Sequence, residues 1–306
     1  MSPSAKDLLG TACAICLTDT HDHEVYAANF RPEDLNPEVF TARRRPDRLH
    51  YRMVVCHQCG LMRANPVLST DALSILYKES HGHDLQLSQA AAETYGQYFQ
   101  ENFLPFPFQG RVLEIGCGPG SFLKELMRYH CNQVYGVEPS FEAVEQAGEL
   151  KGLIYNGTFV GGIYPKDYFD VICAFQMFDH LSDPAQFLKD CRENLKHKGN
   201  LFLILHNIKA LPAKVLGPNC PMLDIEHPIL YEPMTIIKML EANGFTVQKK
   251  FSVLNRYPLR YWLQLLPMPQ GLKKRLLDFL EKAPVGNIPV TLGLGNMGII
   301  ARKKDE

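Results

Sequence analysis

From residue 111 onward, short apolar runs alternate with stretches whose apolar residues recur at three- and four-residue spacing. The runs fall near 111–115, 133–137, 152–156, 169–175 and 200–206, too short for helices, and read as strands buried on both faces. Helical spacing fills about 120–130, 141–149 and 184–197, and a helix near 232–243 stops at Asn243-Gly244, a favourable C-cap. Two further strands are expected at 246–253 and 296–302. The alternation implies an α/β fold: a Rossmann-like seven-stranded sheet with helices on both faces. Ahead of it, Leu85 to Phe103 reads as a helix carrying Tyr95, Tyr98 and Phe99, closed by Leu104-Pro105-Phe106-Pro107. Ser69-Thr70-Asp71 offers N-caps to a shorter helix reaching Tyr77, and the segment with His81, Gly82 and His83 reads as a loop.

The junction of the first strand and first helix carries the most specific pattern, Glu114-Ile115-Gly116-Cys117-Gly118-Pro119-Gly120. Such a turn lies at the carboxyl end of a strand, where an open α/β sheet leaves a crevice for a nucleotide. Glycines there allow a tight reversal, close approach of backbone to a ligand and close packing of helix on strand. Ser121 stands where the G-x-G-x-x-G dinucleotide fingerprint has its third glycine. The second strand, Val134-Tyr135-Gly136-Val137-Glu138, ends in an acid able to accept hydrogen bonds from both ribose hydroxyls.

A different chemistry occupies the amino-terminal part. Cys13-x-x-Cys16 and Cys56-x-x-Cys59 can each wrap half of a tetrahedral zinc site, and four thiolates leave no open position, so that zinc would be structural. A redox dithiol would need only one pair, and neither pair precedes a βαβ pattern. His57, inside a knuckle, reads as a filler. Between the pairs lie Arg43, Arg44, Arg45, Arg48 and Arg52, either a solvated loop or a clamp for a phosphorylated or nucleotide-linked substrate. Cys117, Cys131, Cys173, Cys191 and Cys220 fall in patterned segments and read as small buried apolar residues.

The 306 residues accommodate a zinc-ribbon module over 1–68, a helical connector over 69–105 and an α/β domain over 106–306 with an insertion at 254–295. Hydrophobic residues make up 46%, enough for a sizeable core, and a net charge of −1 gives no global field toward nucleic acid or anionic membrane. The N-terminus lacks an apolar signal-like region, and no apolar run approaches the ~20 residues of a membrane helix. With this cysteine usage, a reducing cytoplasm is the expected compartment.

The glycine turn with Glu114, and Glu138 after it, resemble the first motif and second-strand acid of class I S-adenosylmethionine (SAM)-dependent methyltransferases. Phe169-Asp170-Val171-Ile172 through Phe178-Asp179-His180-Leu181 resembles that family's fourth strand, with Asp179-His180 for its Glu-His, and Lys198-Gly199-Asn200 resembles its K-P-G-G turn. The resemblance implies a SAM site built from Glu114, Gly116, Gly118, Gly120, Glu138, Thr158 and Gln176, and a seventh strand running antiparallel between the fifth and sixth. It also implies that the leading helices cover the mouth of the site, making Tyr77 and Tyr95 pocket candidates.

Methyl transfer from a sulfonium needs alignment above all, and a hydroxyl or acidic C–H acceptor also needs a base, for which histidine is suited. His180, His206 and His227 follow strand ends or the next loop. Glu226-His227-Pro228-Ile229-Leu230-Tyr231 resembles a stretch of zinc-ribbon methyltransferases, including ketosugar C-methyltransferases. There a Glu-His pair is the proposed base with its orienting carboxylate, roles that pass to His227 and Glu226, with His180 as a second candidate. Those enzymes carry a further C-terminal domain that this sequence does not continue into, so O- or N-methylation of a small metabolite stands beside C-methylation. In the insertion, Tyr257-Pro258-Leu259-Arg260-Tyr261-Trp262-Leu263 and an amphipathic helix from Gly271 to Lys282, with Leu272, Leu276, Leu277 and Leu280 on one face, read as a substrate lid, a dimer surface or packing, with an interfacial membrane helix disfavoured by the mixed charge of that helix. The function expected is methyl transfer from SAM to a small-molecule acceptor such as a sugar or secondary metabolite. An RNA or protein methyltransferase docking through the ribbon, and a non-catalytic SAM-binding protein, are the alternatives; no Asn-Pro-Pro-Tyr-type motif follows the fourth strand.

Overall fold

A computed structural model describes residues 7–31, 34–35, 39, 49–69, 72–73, 75–76, 84–103, 108–266 and 268–305. Arg43, Arg44, Arg45, Arg48, Tyr77 and the His81-Gly82-His83 loop lie outside the described residues. The amino-terminal module contains β1 (Leu8–Leu9), β2 (Asp22–Tyr26), β3 (Met53–Cys56), β4 (Met62–Ala64) and β5 (Val67–Leu68). Helix α1 (Leu85–Asn102) follows, capped by the Asp84 carboxylate on the backbone N–H groups of Gln86 and Leu87. The α/β part then runs β6 (Val112–Ile115), α2 (Ser121–Arg128), β7 (Val134–Glu138), α3 (Phe141–Gln146), β8 (Ile154–Asn156), β9 (Phe169–Phe175) and α4 (Pro184–Asn194). It continues with β10 (Leu195–His206), α5 (Leu211–Leu216), β11 (Ile229–Leu230), α6 (Pro233–Ala242), β12 (Phe245–Pro258), α7 (Leu259–Leu265), α8 (Gln270–Lys282) and β13 (Pro289–Lys303).

Seven strands form one mixed sheet in the order β12-β13-β10-β9-β6-β7-β8, with β13 antiparallel to both neighbours, as the resemblance implies. Helices cover both faces, and strand parity divides the core. On β9 and β10, Ile172, Ala174, Leu201, Leu203 and Leu205 pack on the layer that holds α4 and α6. Their neighbours Val171, Cys173, Phe175, Phe202 and Ile204 pack on the layer that holds α1 and α2. Alternate residues of a strand face opposite ways, so strands covered on both sides read as continuous apolar runs.

Three boundaries depart from expectation. Helix α4 ends at Asn194 instead of 197, because Lys196-His197-Lys198 supply no apolar face to continue it; a bulge between Leu195 and Asn200 then leads into β10. Strands β12 and β13 run well past 253 and before 296, pairing as an antiparallel ribbon out to Pro258 and Pro289. Much of the insertion is therefore sheet, crowned by α7 and α8. Among the described side chains of α8 only Leu280 is buried; Leu276 and Leu277 are partly covered, and Leu272 is exposed.

The amino-terminal sheet is completed from outside its own segment. Its order is β11-β4-β3-β2, with Ile229 opposite Arg63 and Leu230 opposite Met62, and the Ala64 N–H donates to the Pro228 carbonyl at 2.7 Å. Inside the module, fully buried Arg63 makes a two-pronged contact with Asp22 at 2.7 and 2.8 Å and donates to the Thr11 carbonyl. Cys13, Cys56, Cys59 and Leu61 share one apolar layer with Phe178, Tyr231, Ile236 and Met239. The strand that follows His227 is thus edge-paired to the cysteine module.

Candidate functional site: a nucleotide turn and a histidine cluster in one cavity

Strand β6 delivers Glu114 to the carboxyl edge of the sheet, and the turn after it is held by Glu138 at the end of β7. The Glu138 carboxylate accepts from the Gly118 N–H at 2.8 Å and, through its other oxygen, from the Ser140 N–H at 2.8 Å. Gly118 has φ 52° and open space where a side chain would begin, so the backbone presents a cradle. Gly120, at φ 74°, instead packs inward: a Cβ there would meet Ile154 and Leu150 at 3.3 Å. Gly116 and Gly118 line the cavity, together with Glu114, Glu138, Thr158 and Gln176.

Three polar features of this region point to a ligand. Burial pushes the Glu114 carboxyl well above its usual range, and the nearby Glu138 carboxylate adds to the shift. Its Oε2 has no hydrogen-bond partner. Gln176 sits at φ 53°, a left-handed conformation that non-glycine residues rarely adopt, and its Nε2 is likewise buried and unpaired. A cationic, hydroxyl-bearing nucleoside such as SAM would satisfy these groups, with Glu138 toward the ribose and Glu114 and Gln176 toward the charged end.

The neighbouring strand ends gather three imidazoles around one carboxylate. Asp179 is fully buried, and His206 Nδ1 lies 2.5 Å from its Oδ2. Burial works to raise the Asp179 carboxyl, but the His206 imidazole holds it well below the usual carboxylate range. The His227 ring lies 4.7 Å from both His180 and His206, ring centre to ring centre, edge-on to His180 and tilted against His206. Burial, then His206 and His180, lower its pKa to about 3. His227 Nδ1 lies 3.1 Å from the Met222 carbonyl, which can only accept. That carbonyl fixes the proton on Nδ1 and leaves Nε2 as a bare acceptor. Burial also lowers His180, against the pull of Asp179. Ligand atoms of Asp179, His180 and His227 lie within 4.8 Å of one another, a spacing that also suits a cation.

All three histidines line the same cavity as the glycine turn, a space of about 950 Å³. Ligand pockets run roughly 300–1,000 Å³, so this one has room for a nucleoside and an acceptor together. Glu226 lines it too; the group found on His227 Nδ1 is the Met222 carbonyl, while the Glu226 N–H donates to Asp224. Tyr95 is both packed and lining: it is buried, 4.8 Å from the Phe175 ring, and faces the cavity beside Ala91 and Ala92 of α1. The insertion supplies Tyr257, Tyr261 and Trp262. The Asp179–His206 pair was not paired by sequence reasoning; two strand ends adjacent in the sheet were its only signal. The Met222 carbonyl, being backbone, had none.

Cys13, Cys16, Cys56 and Cys59 converge with all sulfurs within 4.8 Å, and Cys13 and Cys59 Sγ atoms are 3.4 Å apart. Sulfurs about 2.3 Å from a tetrahedral zinc stand roughly 3.8 Å from each other, so the set fits that ion. The other five cysteines are buried singly. Arg52 donates to Glu24 and to the Asn65 carbonyl, so its guanidinium is bound into the module.

Comparison with known proteins agrees with this geometry. A family model described as a methyltransferase domain matches residues 86–250, just over half of the chain. The chain belongs to that methyltransferase-domain family. It is 32% identical over 114 residues to a ubiquinone biosynthesis O-methyltransferase of Bradyrhizobium diazoefficiens, covering 35% of this chain and 45% of the relative. An uncharacterized methyltransferase of Schizosaccharomyces pombe is 34% identical over 103 residues, 29% of this chain and 37% of that one. The chain thus spans less than half the length of these relatives. Among solved structures, the Bacillus subtilis YcgJ protein aligns over 70% of this chain and 99% of its own, at 20% identity and a TM-score of 0.48.

Proposed function

We propose that this protein transfers a methyl group from SAM to a hydroxyl of an uncharged small molecule, with the histidine cluster as the base. The observation that carries the reading is His227: a neutral imidazole, its tautomer set by the Met222 carbonyl, sharing a cavity with the glycine turn. The names of the matched O-methyltransferases support oxygen as the receiving atom. When bound, SAM supplies an electrophilic methyl on a sulfonium.

Each residue then has a task. Glu138 and Gly118 hold the ribose side, Thr158 lines the base side, and Glu114 and Gln176 orient the charged end. Nε2 of His227 accepts the acceptor's hydroxyl proton as the oxygen attacks, and His180 and Glu226 flank the hydroxyl. Because His227 holds a proton weakly, it releases it to solvent, while Asp179, 2.5 Å from His206 Nδ1, fixes the imidazole packed beside His227. Positioning supplies most of the acceleration, ~7–11 kcal/mol in well-aligned cases, and the base a further 10²–10⁴-fold or so. The cysteine set would hold a structural zinc that fixes the loop bearing His227 through the β4–β11 pairing. Four acidic side chains line the cavity (Glu114, Glu138, Asp224 and Glu226) with no lysine or arginine among the described lining residues, a lining that favours a cationic donor and a neutral acceptor.

The test is turnover of labelled SAM against a panel of phenols, sugars and amines, for wild type and His227→Ala. The reading requires an oxygen acceptor and loss of turnover at least a hundredfold in the variant, with binding of S-adenosylhomocysteine retained. Retained turnover would remove the base assignment.

A further inference from the structure

Strand order places a second recognition element beyond the histidines. Asn296 of β13 pairs in register with His206, and Val253 of β12 pairs with Asn296. Going from the glycine turn, the cavity floor therefore passes the ends of β9 and β10 and continues onto the β12–β13 ribbon. Two inter-strand steps of roughly 4.8 Å separate β12 from β10. Here the lining turns apolar: Tyr257, Tyr261, Trp262 and Leu265, with Leu216 and Met222. The Trp262 indole N–H is committed to the Val290 carbonyl at 2.8 Å, so the side chain offers its ring alone.

Within this apolar part stands Asn255, only 4% exposed, lining the cavity, with a buried Oδ1 that has no hydrogen-bond partner. Asparagine is disfavoured in strands, and a buried acceptor left unpaired is a cost that folded proteins seldom carry without something to relieve it. Neither the SAM site nor the proton path uses it.

We propose that Asn255 is the specificity handle for the methyl acceptor, accepting a hydrogen bond from a second hydroxyl remote from the oxygen that is methylated, since Asn255 lies two strands across from His206 and, opposite Leu292, further along the ribbon than the His206–Asn296–Val253 row. The aromatic wall takes the apolar body between the two hydroxyls. The acceptor class is then a neutral, elongated, mostly apolar diol of the biaryl type, and not a nucleotide-linked sugar. This assignment rests on the methyltransferase reading above.

Trp262 is the only tryptophan in the chain and stands in that wall, so its fluorescence reports occupancy without turnover. Protein saturated with S-adenosylhomocysteine is titrated with biphenyl bearing a para hydroxyl on each ring, with biphenyl bearing one, and with uridine diphosphate glucose. The bis-hydroxylated compound is expected to quench Trp262 and to bind roughly tenfold tighter than the mono-hydroxylated one. In Asn255→Leu the two should bind within about twofold of each other, with unchanged affinity for S-adenosylhomocysteine. Preference retained in the variant, no preference in wild type, no binding of either biphenyl, or quenching by the sugar nucleotide alone would each overturn the proposal. Should Asn255→Leu fail to bind S-adenosylhomocysteine, Asn255→Ser replaces it, and the wild-type comparison stands by itself. Absence of S-adenosylhomocysteine binding to wild type would sink the methyltransferase reading instead, so the two failures are distinct.

Discussion

His206 Nδ1 stands 2.5 Å from the fully buried carboxylate of Asp179, joining the end of β10 to the short helical turn that follows the adjacent strand β9. In the proposed mechanism the pair fixes the imidazole that packs against His227 at 4.7 Å between ring centres. Asp179→Asn should keep the size of the side chain and lose the charge, lowering kcat by roughly 10²-fold or more while affinity for S-adenosylhomocysteine stays within about twofold. Unchanged kcat would exclude the pair from that role.

His227 makes a pH prediction of definite sign. Its folded pKa of about 3 lies below the ordinary histidine value near 6.5, so the stability it contributes is present above pH ~6.5 and is lost as pH falls toward 3. At pH 5 the loss relative to neutral pH is about 2 kcal/mol. Urea unfolding of wild type and His227→Gln across this range should show the difference shrinking in the variant. Asp179 acts in another window, because a depressed carboxyl loses its contribution only below pH ~3.9. Parallel curves for both proteins between neutral pH and pH 5 would contradict the assignment.

Glu114 behaves oppositely. Its pKa is raised by burial and by Glu138, so its contribution to stability is full below the ordinary carboxylate pKa and is lost as pH rises through the raised value. Glu114→Gln should therefore raise the Tm of the ligand-free protein at neutral pH while weakening SAM roughly tenfold or more. A variant with lower Tm and unaltered SAM affinity would place the carboxylate outside the site.

A zinc held by the four cysteines would be coupled to turnover through the β4–β11 pairing. One zinc per chain is expected by elemental analysis, and Cys56→Ser should release it and lower Tm by roughly 10 °C or more. Because Ala64 and Arg63 hold the backbone after His227, kcat should fall with metal loss even where SAM still binds. On the proposed base role, added magnesium or manganese should leave the rate unchanged; a rate that depends on added cation would assign Asp179, His180 and His227 as ligands instead.

Much of this was legible in the sequence because periodicity and local motifs carry it. The strand runs, the glycine turn with Glu138, and the cysteine spacing each specify structure over a few residues. The histidine cluster was legible only in part: His180 and His227 come from motif resemblance, but the Asp179–His206 contact depends on strand order, which local pattern does not encode. The length of the β12–β13 ribbon was missed because Asn255, Gly293 and Gly295 interrupt the apolar alternation, and cross-strand pairing overrides those weak local preferences. Asn255 itself looks like an ordinary loop residue until burial is known.

The central claim is that the turn after Ile115 and the acid at the end of β7 bind SAM. Calorimetric titration of zinc-replete protein with S-adenosylhomocysteine tests it most directly. Stoichiometric binding at micromolar or tighter affinity, weakened at least tenfold by Glu138→Ala, is the predicted result. No heat with S-adenosylhomocysteine or SAM, alongside firm binding of NADH, would contradict it.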